Sequence, residues 1–377
     1  MNSNFLSGVT IVDVTRVLAG PYCTMLLSDL GAEVIKIEQP DVGDETRKYA
    51  PIKDGESAYY LSINRNKKSI CLDLKSQEGK AKLYELVSGA DVFIHNYPSK
   101  TSQKLGIDFN TIKQKNNKII YLSITGYGNT GPKSNVPGYD IITQAISGLA
   151  GINGTDPDHL ARIPNSTTDL YGGFISAIMI LSSLFKSRKE ESNEPIELDV
   201  SLFEAALYSM PHVFGIYSFT GVNPSPKGFE NYFISPYTRF DTADAPIIIA
   251  VANNSQWDRL CKAVNMEELI NDPRFKNNED RVSNSKELRE ILTKILVKKS
   301  SIYWSDKLIE AGVPVGKINK LSDVLEDAQV KYRNSVLERK VRGKTMYFPA
   351  FPVYVNGNRL NFFREDPPQL CSGIDKA

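Results

Sequence analysis

The chain of 377 residues is long enough to build more than one hydrophobic core. With 41% hydrophobic and 24% charged residues it has the composition of a folded globular protein, which excludes disorder as its default state. Its 45 basic and 44 acidic residues leave a net charge of +1, so no overall field attracts nucleic acid or an anionic membrane, and any anion site is local.

The first predicted element is the strand "VTIVDV". The turn "TRVLAG" follows, then a helix with Pro21 at its start, "YCTMLLSDL" as its body and Gly31 at its end. "AEVIKIE" reads as the next strand, giving a βαβ unit with a right-handed crossover. The alternation repeats: strand "SICLDL", helix "EGKAKLYELV", strands "DVFIHNY" and "KIIYLSITGYG", then a helix from "YDIITQAISGLAG". This pattern predicts an α/β fold with a parallel, doubly wound sheet.

From Asp169 an apolar helix runs towards Phe185, where the charged "KSRKEESNEP" is expected to break it. That makes it too short to span a bilayer. Strand "IELDV" and helix "SLFEAALYSM" come next, and 212–237 reads as irregular. The domains expected are a large one over 1–200, a linker over 201–235, a small α/β domain over 236–315, and a segment over 316–377 that returns to the large domain.

The opening "MNSNFLSGVTIVDV" lacks the pattern of a secretory leader, which predicts a cytoplasmic protein. Four scattered cysteines (Cys23, Cys71, Cys261, Cys371) predict reduced thiols rather than a disulfide framework. His95, His159 and His212 have no metal-ligand spacing, so no metal site is expected.

Three stretches carry candidate chemistry. "TRVLAGP" occupies the βα turn where open α/β sheets bind ligands, but it lacks the glycine fingerprint of a dinucleotide fold, which disfavours a nicotinamide-dependent dehydrogenase. The loop "ITGYGNTGPKSNVPGYD" has four glycines and two prolines, letting the backbone approach a ligand closely; Asp140 at its end could equally cap a helix. "TTDLYGG" places Asp169 at a helix start, as a cap or as a nucleophile kept ionised by the helix dipole. Gly172 and Gly173 beside it would each cost about 1 kcal/mol against alanine, which implies tight packing there. Basic residues near strand ends, among them Lys36, Arg65, Lys67, Lys68, Lys75, Lys104 and Lys133, could together hold a polyphosphate.

In this order, "DVTRVLAGPYCTMLLSDLGAEVIKIEQP", "NRNKKSICLDLK", "ADVFIHNY", "SITGYGNTGP…PGYD", "TTDLYGG", "DVSLFEAAL" and "AGVPVGKINKL…DAQV" closely resemble the class III (CaiB/BaiF) coenzyme A transferases, particularly the succinyl/glutaryl-CoA dicarboxylate branch. The resemblance implies a Rossmann-like large domain and a smaller one in ring-shaped subunits, interlaced as a homodimer. It implies transfer of CoA from an acyl-CoA such as succinyl-CoA to a dicarboxylate such as glutarate or a hydroxy-dicarboxylate. No permanently bound cofactor, nucleic acid or membrane partner is implied.

By the same resemblance Asp169 is the nucleophile, passing through an aspartyl-CoA thioester, with Tyr139 and Asp140 beside it. Val17, Leu18, Ala19, Lys75, Asn96, Tyr97, Lys104 and Leu105 match CoA-contacting positions. Arg47 and Arg162 are candidates for holding a distal substrate carboxylate.

Two departures bear on specificity. Formyl-CoA:oxalate enzymes have glutamine where Leu18 stands, and a polyglycine lid where this chain has only Gly221 and Gly228. The related α-methylacyl-CoA racemases have a histidine where Tyr139 stands, and a phenol with an ordinary pKa near 10 is a poor base at neutrality. A racemase-like epimerase and a non-catalytic CoA-binding protein remain the alternatives.

Overall fold

The computed structural model describes residues 4–191 and 193–373. Strands β1 (Thr10–Asp13), β2 (Glu33–Glu38), β3 (Lys67–Cys71), β4 (Val92–His95), β5 (Ile120–Thr125) and β6 (Ile196–Ser201) form one sheet. Their order is β3-β2-β1-β4-β5-β6 and every pairing is parallel. The order reverses between β1 and β4, which opens a crevice at the carboxyl ends of those strands.

Period-two alternation sends each strand into two cores. Ile11, Val92, Ile94, Ile120, Leu122 and Ile124 face one side of the sheet, with Leu27 and Ile180 packed on them. Val12, Phe93 and Tyr121 face the other, with Leu83 and Val87. Helices α1 (Ala19–Asp29) and α2 (Gln77–Ser88) therefore cover opposite faces. Ser76 caps α2 by accepting from the Gly79 N–H at 2.9 Å.

Helix α3 (Asp140–Ile146) leads to α4 (Thr167–Glu190). The expected break after Phe185 is absent: α4 continues through "KSRKE", because arginine, lysine and glutamate are good helix formers. By length and hydropathy alone α4 could cross a membrane. Here Ser176, Ala177, Ile180 and Leu184 are buried in the sheet's core, while Tyr171, Phe174, Ile178 and Phe185 are exposed. Part of the stretch read as irregular is also helical, α5 (Pro211–Thr220), which starts with proline in its first turn and ends at Gly221 in the left-handed region.

The chain divides into two compact units. The first takes residues up to Ala150, Arg162–Pro224 and the chain from Arg333 onward; the second takes Gly151–Ala161 and Ser225–Tyr332. Residues 316–332, expected with the returning segment, belong to the second unit. In that unit β7 (Tyr237–Phe240), β8 (Ile247–Ala250) and β9 (Val315–Lys317) make an antiparallel sheet in the order β9-β8-β7. Its core joins Phe240, Ile247 and Ile249 to Trp257 and to Leu288, Leu292 and Leu296, spaced four apart on one helix face.

The C-terminal segment of the first unit packs Phe363 with Tyr60, Leu61 and Phe348. Asn66 donates to the Phe362 carbonyl at 2.8 Å and accepts from the Arg364 N–H at 2.7 Å. This return brings Cys371 beside Cys71, 300 residues earlier, and the two form a disulfide, contrary to the expectation of reduced thiols. Sequence spacing carries no trace of the pairing, because the two cysteines meet only when the tail lies along β3. Cys23 and Cys261 are free and buried.

Candidate active site

The turn after β1 is set by buried charge. Asp13 accepts from the Thr15 N–H at 2.9 Å and from the Thr24 hydroxyl at 2.6 Å. Lys36 donates to the Thr15 carbonyl at 2.9 Å and pairs with Asp44 at 2.9 Å, with both side chains sealed from solvent. Asp44 in turn accepts from the Val17 N–H at 3.3 Å. Val17 has φ 68°, an uncommon conformation for a β-branched residue, and these contacts hold it there. Gly20 is required: a Cβ would lie 2.3 Å from the Thr15 side chain.

Asn96, just past β4, clamps the same turn. Its side-chain oxygen accepts from the Arg16 N–H at 2.9 Å and its amide donates to the Arg16 carbonyl at 2.7 Å. The neighbouring His95 is buried, and desolvation pushes its pKa down to about 3, so it is neutral. Its Nδ1 accepts from the Tyr97 N–H, so the proton sits on Nε2 and is donated to the Tyr121 oxygen.

The nucleophile candidate lies across the crevice. Ser166 precedes α4 but its side chain makes no cap. Asp140 supplies the cap from α3, accepting at one oxygen from both the N–H and the hydroxyl of Thr168, each at 2.9 Å. Its other oxygen accepts from Gln144, which also bonds both backbone groups of Ile163. Asp140 therefore caps the helix of Asp169 rather than its own.

Asp169 caps nothing: among the described residues no donor reaches its carboxylate by hydrogen bond or ion pair. Burial, reinforced by the charge of Asp140, pushes its pKa up to about 7, against the expectation that the helix dipole keeps it firmly ionised. The adjacent glycines admit the neighbours. A Cβ on Gly172 would lie 2.5 Å from Leu202, and one on Gly173 would lie 2.8 Å from the Ala19 carbonyl oxygen.

Val17, Leu18, Ala19, Asn96, Tyr139 and Asp169 line one cavity of about 200 Å³. The glycine-rich loop walls it with Gly126 and Gly138, whose backbones touch: a Cβ on Gly126 would lie 2.5 Å from the Gly138 Cα. Tyr97 flanks the cavity through its contact with Arg16, and Leu105 packs in the core beneath β4. Lys75 and Lys104 are exposed and outside the cavity wall.

The arginine candidates do not serve as expected. Arg47 is spent inside the fold: its Nε and Nη2 donate to Glu38 at 2.8 and 2.7 Å. Arg162 is exposed and donates to the Pro164 carbonyl. The polyphosphate reading of the basic cluster also fails for three members. Lys36 and Lys67 are buried against Asp44 and Asp13, and Arg65 is buried against Asp29. Sequence reasoning missed Arg16 and Glu45, which line the cavity as an ion pair.

Residues 6–373 match the model of CoA-transferase family III. The chain belongs to that family. The transferase is 39% identical to succinyl-CoA:glutarate CoA-transferase from Mus musculus over 88% of its own length and 76% of that protein. It is 34% identical to acetyl-CoA:oxalate CoA-transferase from Acetobacter aceti, over 96% and 92% of the two chains. A crystal structure of a CaiB/BaiF family protein from Brucella suis superposes with a TM-score of 0.87 at 31% identity, over 97% and 96%. The reaction is CoA transfer between carboxylates, with an acyl-CoA and a free carboxylic acid as its substrates.

Proposed function

We propose that the transferase carries first an acyl group and then CoA on Asp169. The carboxylate attacks the donor thioester carbon, and CoA leaves as thiolate from a mixed anhydride. The thiolate then attacks the aspartyl carbonyl, releasing the donor acid and leaving an aspartyl-CoA thioester. The acceptor carboxylate attacks that carbonyl, expelling the thiolate, which takes the acceptor's acyl carbon and restores Asp169. The observation that carries this reading is a half-buried carboxylate with no donor among the described residues, facing a cavity at a strand-order reversal. A carboxylate held by hydrogen bonds or an ion pair would be a poorer nucleophile.

In this reading Val17, Leu18, Ala19 and Asn96 border the thioester arm, and Lys75, Tyr97, Lys104 and Leu105 lie towards the nucleotide. Succinyl-CoA as donor and a dicarboxylate as acceptor follow from the names of several relatives, including one from Agrobacterium fabrum called succinate–glutarate CoA-transferase. Two copies are proposed to interlace as a homodimer, which gives the exposed Phe174, Ile178 and Phe185 of α4 and Phe214 and Phe219 of α5 an apolar partner.

Acyl exchange between succinyl-CoA and a panel of acids, read by mass spectrometry of the CoA thioesters, tests the reading. Asp169→Ala is expected to abolish exchange while leaving CoA binding intact; turnover that survives the substitution refutes the nucleophile.

A further inference from the structure

Arg16 is the one cationic side chain lining the Asp169 cavity among the described residues, against two carboxylates, Glu45 and Asp169. Its Nη1 meets Glu45 at 2.6 Å, and both side chains are over 40% exposed. A pair so exposed to water is loosely held and exchanges readily for another carboxylate. The guanidinium carbon Cζ lies 4.6 Å from the centre of the Tyr97 ring, and Asn96 pins the Arg16 backbone at both its N–H and its carbonyl. The residue is thus held at its backbone by Asn96 and at its guanidinium by Tyr97.

The other edge of the same guanidinium is unused. Nε–H and an Nη2–H point in one direction and form the fork that takes both oxygens of a carboxylate. In Arg47 that edge is filled by Glu38. In Arg16 it has no protein acceptor among the described residues, and Nε is shut off from solvent. An unpaired buried donor is uncommon in a folded protein, and this one belongs to a side chain that lines the Asp169 cavity.

We propose that Arg16 is the specificity residue for dicarboxylates: its guanidinium turns away from the exposed Glu45 pair, which uncovers Nε, and gives its Nε–Nη2 edge to the distal carboxylate of the acyl group while Asp169 works on the proximal carbon. Glu45 acts as an internal competitor that neutralises Arg16 between turnovers. This inference rests on the transferase reading above and adds to it the group that selects the acid. A CoA phosphate is the rival anion for the same fork, but Arg16 shares the acyl cavity of Asp169, so the carboxylate is the occupant proposed.

The test compares Arg16→Gln, Arg16→Lys and Glu45→Gln with the wild type. Each is assayed with succinyl-CoA and glutarate, and with butyryl-CoA and butyrate, alongside titration of CoA binding. For Arg16→Gln the glutarate-to-butyrate ratio of kcat/KM is expected to fall about 100-fold, with CoA affinity changed less than about threefold. Arg16→Lys keeps the charge and loses the fork, so about a tenfold fall is expected. Glu45→Gln is expected to lower the KM for glutarate.

An unchanged ratio in both Arg16 variants overturns the proposal, as does a loss of CoA affinity that accounts for the whole effect, which would assign the fork to a phosphate. A wild-type protein that moves CoA between no pair of acids would instead defeat the transferase reading itself.

Discussion

Asp140 accepts a hydrogen bond from the backbone N–H of Thr168, and so fixes the first turn of the helix on which Asp169 is the next residue. One carboxylate positions the other and also raises its pKa. Asp140→Asn should keep the cap on Thr168 but set an amide donor against the Gln144 amide, lowering stability by about 1 kcal/mol, and should remove a negative charge beside Asp169. The expected signature is a lower kcat together with a downward move of the acid limb of the pH profile. A purely structural cap would lower kcat without moving that limb.

The pH dependence of the wild type follows from the same carboxyl. Only the ionised form attacks a thioester, and the Asp169 pKa is about 7 in the free protein. kcat/KM should therefore rise tenfold per pH unit below about 7 and level off above it. A flat profile from pH 5 to 8 would contradict the environment described for Asp169.

Stability carries the opposite trend. The folded state holds the Asp169 proton up to about pH 7, whereas the unfolded chain releases it near 3.8. Folded protein thus binds more protons between those values, and the contribution of Asp169 to stability falls as pH rises through that window. Asp169→Asn removes this penalty. Its melting temperature should exceed that of the wild type at pH 8, with the gain shrinking towards pH 4, as differential scanning fluorimetry can show.

Gly173 tests the packing of α1 on α4. Alanine is intrinsically the better helix residue by about 1 kcal/mol, so an open site would be stabilised by Gly173→Ala. Here the added Cβ would meet the Ala19 carbonyl oxygen at 2.8 Å, on backbone that cannot swing aside. A net loss of about 1–3 kcal/mol in urea unfolding is expected, with a fall in kcat because Ala19 also borders the cavity.

Lys36 is the buried cation under the Thr15–Val17 turn. Lys36→Met should cost about 3–5 kcal/mol, since Asp44 and Asp13 would be left buried beside a missing charge. Thermal unfolding would measure it, and a loss below about 1 kcal/mol would mean that the network does not hold the turn.

Strand and helix alternation was legible because short stretches rich in valine and isoleucine alternate with helical ones, and the first helix is bracketed by Pro21 and Gly31. The close packing at Gly172 and Gly173 was legible too, from the cost of glycine in a helix. Long-range pairing was not. Lys36, Arg65 and Lys67 look like surface charge in the sequence, and only the fold supplies the aspartates that bury them. Arg47 also looks free in the sequence, and only the fold turns it back onto Glu38 at the end of β2. Arg16 lies within "TRVLAGP" with nothing in the sequence to mark it out, because its significance lies in which edge of its guanidinium the fold leaves unpaired among the described residues.

The proposed transfer depends on a covalent bond to one side chain. Protein incubated with succinyl-CoA and quenched with hydroxylamine or borohydride, then digested and sequenced by mass spectrometry, should carry the modification on Asp169 alone. Modification of a different residue, or an unmodified Asp169 while thioester exchange proceeds, would contradict it.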